Sequence, residues 1–289
     1  MIETILLILA FSLLAIASYT DIRTREVPDW LSYGGIVVGL SLRIIVSLYL
    51  WDYSLFLYGI IGFTAFFIIG CAMFYTGQWG GGDSKVLMAL GALMGINFSL
   101  NQIALNFLIN LIIVSAIYSI IWVSIVALIN REKFVQQMKK DFSKNYDNIK
   151  LFSFVGVLFT VLIVVFLYIS KMNYFFKTAI VLFAIALWLL YYLLIVLKTV
   201  EKSCMIKEVL PDKITEGDWI VEDVIVDNKR ICGPKDLGIE KEQIKELLRL
   251  KSRNKIKTVL VKYGIPFIPS FLLAFLFSWI FDNFFIWLV

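Results

Sequence analysis

The chain has 289 residues, of which 60% are hydrophobic, 16% aromatic and 17% charged, with 27 Lys and Arg against 22 Asp and Glu. Soluble domains carry roughly 45–50% apolar and about 25% charged residues, so a soluble globular enzyme is excluded and the mean hydropathy of +0.85 indicates an integral membrane protein. The absence of histidine excludes Ser-His-Asp and Cys-His catalysis, haem and His-ligated metals, and the scattered Cys71, Cys204 and Cys232 form neither a disulfide framework nor a zinc spacing.

Apolar runs fall near 2–20, 31–50, 54–75, 86–99, 103–129, 151–169, 175–197 and 259–288. A helix needs about 20 apolar residues to cross a bilayer, with roughly 17 as a lower limit. Only the run at 86–99 falls short, as a brief span or a re-entrant helix. The expected fold is an all-α polytopic membrane protein with six to eight transmembrane helices, eight favoured. A small cytoplasmic α/β insertion precedes the last of them.

The first run ends in Ile16-Ala17-Ser18, which imitates a signal-peptide cleavage site. Glu3 precedes it, however, and Arg23 and Arg25 follow, an order that suits a retained helix. With eight spans, the basic residues of 21–30 and 130–150 share one side, among them Arg131, Lys133, Lys139, Lys140, Lys144 and Lys150. The positive-inside rule then places the N-terminus outside and these segments in the cytoplasm of a multi-pass plasma-membrane protein.

The organisation expected in chain order is a transmembrane catalytic region at 1–129, a basic cytoplasmic loop at 130–150 and two spans at 151–197. A small cytoplasmic domain at 198–258 and a last span at 259–289 complete it. The basic loop is weakly amphipathic and suits a membrane surface better than nucleic acid. Within 198–258, Trp219–Val226 is rich in β-branched residues and Asp227-Asn228 is a turn signal. Gly238–Lys251 has helical periodicity.

Ionisable residues at the ends of membrane helices are functional candidates. Asp21 ends the first helix, and pairing with Arg23 or Arg25 is the plain alternative to catalysis. Pro28 suits the start of the next helix, with Asp29 in its first turn. Asp83 follows Gly80-Gly81-Gly82 and precedes Ser84-Lys85. The glycines permit close backbone approach and positive φ; the run lacks the phosphate-loop spacing, and a capped helix start would need no chemistry. Together, two carboxylates on different helices at one membrane depth match the needs of an aspartyl protease, in which a close pair shares one proton. No metal or cofactor is implied.

The stretch Asp21-Ile22-Arg23-Thr24-Arg25-Glu26-Val27-Pro28-Asp29-Trp30-Leu31, followed some sixty residues later by Gly80-Gly81-Gly82-Asp83-Ser84-Lys85, resembles the type IV prepilin peptidase family. The archaeal branch of that family includes preflagellin peptidases. Tyr263-Gly264-Ile265-Pro266-Phe267-Ile268-Pro269-Ser270-Phe271 is also similar to archaeal members. The resemblance implies catalytic aspartates at Asp21 and Asp83, the latter in a Gly-x-Gly-Asp motif. It also implies removal of a short basic leader from prepilin- or prearchaellin-like precursors at the cytoplasmic face. No cysteine-paired insertion lies between Leu31 and Gly77, so peptidase activity is expected without N-methylation. The Tyr-Asp pair and Pro-Ala-Leu motif of presenilin-like proteases are absent.

Glu26, Asp29 and Lys85 are candidate substrate contacts, with the acids placed to hold leader Lys or Arg; helix capping and local pairing are the alternative for Asp29. The Gly80–Gly82 run suggests a hinge that brings Asp83 towards Asp21 when substrate binds. Arg43 and the Gln102/Asn106/Asn110 series read as structural hydrogen-bonding groups between helices. Trp51, Trp79 and Trp287 read as interfacial belt residues. An ion- or proton-coupled transporter using the same acids is the rival function, and a non-catalytic assembly protein a third.

Overall fold

A computed structural model describes residues 2–97 and 102–281. Trp287 and the far end of the last apolar run therefore lie outside the described residues. In chain order the helices are α1 (Ile2–Thr24), α2 (Asp29–Leu50), α3 (Ser54–Tyr75), α4 (Gly81–Met94), α5 (Ile103–Ile129), α6 (Arg131–Lys144), α7 (Tyr146–Ile169) and α8 (Tyr174–Val200). Strands β1 (Ile206–Val209), β2 (Trp219–Ile220), β3 (Val224–Val226) and β4 (Lys229–Cys232) follow, then α9 (Lys241–Ser252), β5 (Val259–Lys262) and α10 (Ile268–Phe281).

Six helices among the described residues are long and apolar enough to cross a membrane: α1, α2, α3, α5, α7 and α8. This is a multi-pass membrane protein. The count of eight rests on α4 and α10, each with 14 described residues. At 1.5 Å per residue, the 14 residues of α4 reach about 21 Å, short of the roughly 30 Å hydrocarbon core, and α10 is described as far as Phe281.

Two compact units divide the chain, residues 1–122 with 208–289 and residues 123–207. The centre of the first unit is α4. Its sequence is Gly, Ala, Leu and Met nearly all round, so it has no polar face to present, and the fold encloses it. Val86, Leu87, Leu90 and Leu93 pack with Leu6 and Leu14 of α1, Phe66 of α3, Phe107 of α5, and Phe271 and Phe275 of α10. Contact between α3 and α4 is backbone to backbone. A Cβ on Gly62 would lie 2.3 Å from the Gly91 carbonyl oxygen, and one on Gly91 would lie 2.4 Å from that of Gly62. Small residues let membrane helices approach this closely, where dispersion and weak polar contacts replace the hydrophobic effect.

The polar series on α5 lies inside the bundle: Gln102, Asn106 and Asn110 are all buried. The Gln102 side chain accepts the Asn97 N–H at 2.7 Å, and Asn110 donates to Ser278 of α10 at 2.7 Å. The seam thus ties α5 to α10. Trp51, after α2, is 82% exposed, as a belt residue would be. Trp79 departs from that expectation. Its ring packs 5.7 Å from Phe267 and 5.3 Å from Phe271, because the loop before α4 folds inward onto α10.

The insertion contains more sheet than its sequence suggests. Strand β5 is the centre of a three-stranded sheet ordered β1-β5-β2, and β3 and β4 form a separate hairpin. Asp227 and Asn228 both have positive φ, the two-residue turn favoured between twisted strands, as expected. Val209, Ile220, Cys232, Ile239, Leu247, Val259 and Val261 make one small core. Consequently the last helix begins at Ile268 and not near residue 259. Val259–Lys262 alternates buried and half-buried residues, the period of a strand; Pro266 lies between it and the helix, and Pro269 sits in the helix's first turn.

In the second unit the basic connecting stretch forms the helix α6, and α7 already starts at Tyr146. Asp141 of α6 accepts from Thr199 of α8 at 3.0 Å. Helices α7 and α8 form an aromatic-rich pair, with Phe152 and Tyr191 stacked at 3.9 Å. Their outer faces carry exposed Leu, Ile, Val and Phe side chains, as lipid-facing helices do.

Candidate active site

Asp21 is the last buried residue of α1, and only 6% of it is exposed. It sits one turn after Ala17 and Ser18 on the face that packs inward. A buried carboxylate needs hydrogen-bond donors, and α10 supplies one: the Ile268 backbone N–H donates to Asp21 Oδ2 at 2.9 Å. The N-terminus of a helix has unpaired N–H groups and a partial positive charge, so α10 opens directly onto the Asp21 carboxylate.

Asp83 occupies the third position of α4 and reaches back to accept the Gly80 N–H at 3.1 Å. This is the acidic half of a capping box. Ser84 adds a bond from its hydroxyl to the Gly80 carbonyl at 3.2 Å. Asp83 therefore combines a helix-start role with a position inside the bundle. The helices that carry Asp21 and Asp83, α1 and α4, pack against each other although they are far apart in the chain.

Gly80, Gly81 and Gly82 have a different role from the positive-φ one their sequence allowed. Gly80 is extended at φ −71° and ψ 163°, and Gly81 and Gly82 already belong to α4. Added Cβ atoms would meet ordinary van der Waals contacts, Phe74 at 3.7 Å from Gly81 and Val27 at 3.5 Å from Gly82. The linker between α1 and α2 thus lies beside the start of α4, with room for a Cβ at Gly82.

The candidate substrate contacts separate. Asp29 and Lys85 pair with each other at 2.6 Å, while remaining 63% and 31% exposed, and Lys85 Nζ lies 5.4 Å from the Tyr33 ring centre. Glu26 is exposed and makes no ion pair among the described residues.

Several neighbours of the pair were not found by sequence reasoning. Arg25 has positive φ and donates to the Gly264 carbonyl, tying the end of α1 to the segment before α10. Its guanidinium lies 6.0 Å from the Trp122 ring centre, and Trp122 stacks on Tyr118. Through-space partners this distant in sequence leave no periodic signal. The Tyr263–Phe271 resemblance was the one pointer to that region.

Residues 8–129 match the model of the type IV leader peptidase family. Over 81 residues the chain is 44% identical to a preflagellin peptidase of Methanococcus maripaludis, a match covering 28% of this chain and 35% of that protein. Preflagellin peptidases of Methanococcus voltae and Methanocaldococcus jannaschii are 41% and 37% identical over 81 residues, again 28% of this chain and 34% of each relative. The chain thus matches about a third of the length of these curated relatives. No solved structure matches. These matches are to peptidases and lend no support to the transporter alternative. The segment 8–129, which holds Asp21 at the end of α1 and Asp83 at the start of α4, is thus similar to the type IV leader peptidase family.

Proposed function

We propose that this chain is a membrane-embedded aspartyl endopeptidase that removes the short basic leader from prepilin- or prearchaellin-type precursors. The observation that supports the reading is that Asp21 and Asp83 lie on two helices packed together in one bundle, within the segment that matches the family model. Two carboxyl groups held close disfavour double ionisation and keep one proton between them. The ionised member takes a proton from water as the water oxygen bonds to the peptide carbonyl carbon, and the protonated member gives its proton to the carbonyl oxygen. Collapse of the tetrahedral species then breaks the C–N bond as the newly protonated aspartate gives its proton to the leaving nitrogen and the other takes a hydroxyl proton back, which releases the amine and the carboxylic acid and restores the shared proton. The proton belongs to the pair, so neither aspartate carries a fixed role.

The same reading orients the protein. The ends of α1 and α4 that carry the pair adjoin Arg23 and Arg25, and the positive-inside rule places such residues in the cytoplasm, with the N-terminus outside. A precursor's hydrophobic helix then lies in the bilayer with its basic leader at the inner face. Glu26 is the acid free to receive that leader. Asp29 and Lys85 act together as a neutral clasp between α2 and α4, at the rim of the same site.

The test is cleavage of a co-expressed preflagellin or prepilin in membranes, with the new N-terminus sequenced. Asp21→Asn and Asp83→Asn, each present at wild-type level, are expected to abolish cleavage. Retention of activity in either variant removes that residue from the mechanism. Failure of the wild type on both precursor classes removes the peptidase reading.

A further inference from the structure

We propose, resting on the peptidase reading above, that Tyr118 is a third catalytic group: its phenolic O–H donates a hydrogen bond to the scissile carbonyl oxygen as water adds. Tyr118 lies on α5, and its hydroxyl oxygen is buried with no hydrogen-bond partner. Buried tyrosine hydroxyls ordinarily find one, and an exception calls for a specific reason.

The ring's surroundings lead to the Asp21 end of α1. Tyr118 stacks on Trp122, one turn along α5, with centroids 6.0 Å apart. Trp122 faces the Arg25 guanidinium at 6.0 Å, and the Arg25 N–H donates to the Asp21 carbonyl at 3.0 Å. The hydroxyl lies within electrostatic reach of both the Asp21 carboxyl and Arg25. Ser18 adds a second buried, unpartnered hydroxyl one helical turn before Asp21, where side chains share a face. Polar hydrogen-bonding capacity is thus concentrated around Asp21 beyond what the protein itself uses.

Negative charge develops on the carbonyl oxygen as the tetrahedral species forms, and a fixed donor aimed at that oxygen stabilises it more than it stabilises the substrate. No bond at Tyr118 breaks. The proton lost by water and the proton gained by the carbonyl oxygen both pass through the aspartates, and the phenol keeps its own. A packing role for Tyr118 makes the opposite prediction, because phenylalanine preserves the ring and its stack on Trp122.

The experiment uses the full chain in lipid nanodiscs with a purified preflagellin substrate. Tyr118→Phe is expected to lower kcat by about a hundredfold, as loss of an oxyanion donor does, with KM unchanged within about twofold. Its thermal midpoint should equal or exceed that of wild type, since the variant removes only an unpaired hydroxyl. Affinity for a peptide carrying a tetrahedral hydroxyl mimic should fall with kcat, while affinity for the leader peptide should not. Wild-type kcat in Tyr118→Phe overturns the inference and leaves the peptidase reading standing. Loss of stability or of membrane accumulation overturns it too, because the hydroxyl is then structural. An inactive wild type removes the peptidase reading and this inference together.

Discussion

Among single residues, Arg43 shows how a membrane charge is accommodated. It is 1% exposed and donates to the carbonyls of Ala92, Leu93 and Met94 at 3.2, 2.8 and 2.8 Å. It also reaches Leu55 at 3.2 Å and Glu3 at 3.4 Å. The last carbonyls of a helix lack intrahelical donors, and a cation there complements the dipole, so Arg43 finishes α4 at the end opposite Asp83. Gly95, at φ +66°, leaves room for the guanidinium. Arg43→Met should therefore cost about 3–5 kcal/mol of stability, the scale for breaking a buried charged network. Glu3→Gln, at a side chain that is itself 51% exposed, should cost at most about 1 kcal/mol. Thermal unfolding in detergent micelles measures both, and equal losses would contradict the cap assignment. A charge inside an apolar run announces itself in sequence, as Arg43, Asp21 and Asp83 did. Its partners do not: the Ile268 amide that meets Asp21 lies 247 positions away, and no local pattern encodes that meeting.

At the level of the element, α4 carries the most information. Its shortness was legible in sequence, and its apolar surface packs against α1, α2 and α3. What the glycines before Asp83 do was less legible, because a glycine run permits positive φ, close approach and flexibility alike. The structure separates these: none of the three uses positive φ, and a Cβ on any of them would meet only ordinary contacts. Flexibility of the run is the remaining role, and Gly81 tests it. A Cβ there meets Phe74 at 3.7 Å, so alanine fits without strain and should stabilise the first turn by about 1 kcal/mol. If α4 must shift to bring Asp83 onto bound substrate, Gly81→Ala should lower cleavage several-fold while precursor binding stays within about twofold. Parallel loss of binding and cleavage would instead mark damage to the site, and unchanged cleavage would dispense with the hinge.

Taken as a whole, the molecule joins a membrane bundle to a small β-rich domain through the segment that completes the site. The apolar spans were readable because each helix in lipid must satisfy its own backbone, so length and hydropathy are recorded segment by segment. The sheet was not, since its strands have only two to four residues and its central strand pairs with partners far away in sequence. Yet β5 leads within a few residues to Ile268, whose N–H meets Asp21, and Gly264 on that path accepts from Arg25. The ring of Trp219, which pairs with Lys262 across the sheet, lies 3.4 Å from where a Gly77 Cβ would be. The domain therefore braces the ends of both aspartate-bearing segments. Leu247, fully buried in the domain core and absent from the catalytic surroundings, provides the test. Leu247→Ala should cost the domain about 2–5 kcal/mol. Cleavage should then fail at the lower temperature at which the domain unfolds, read by Trp219 fluorescence, while the transmembrane helicity persists. Cleavage that survives melting of the domain would show that α10 holds the Asp21 carboxylate without it.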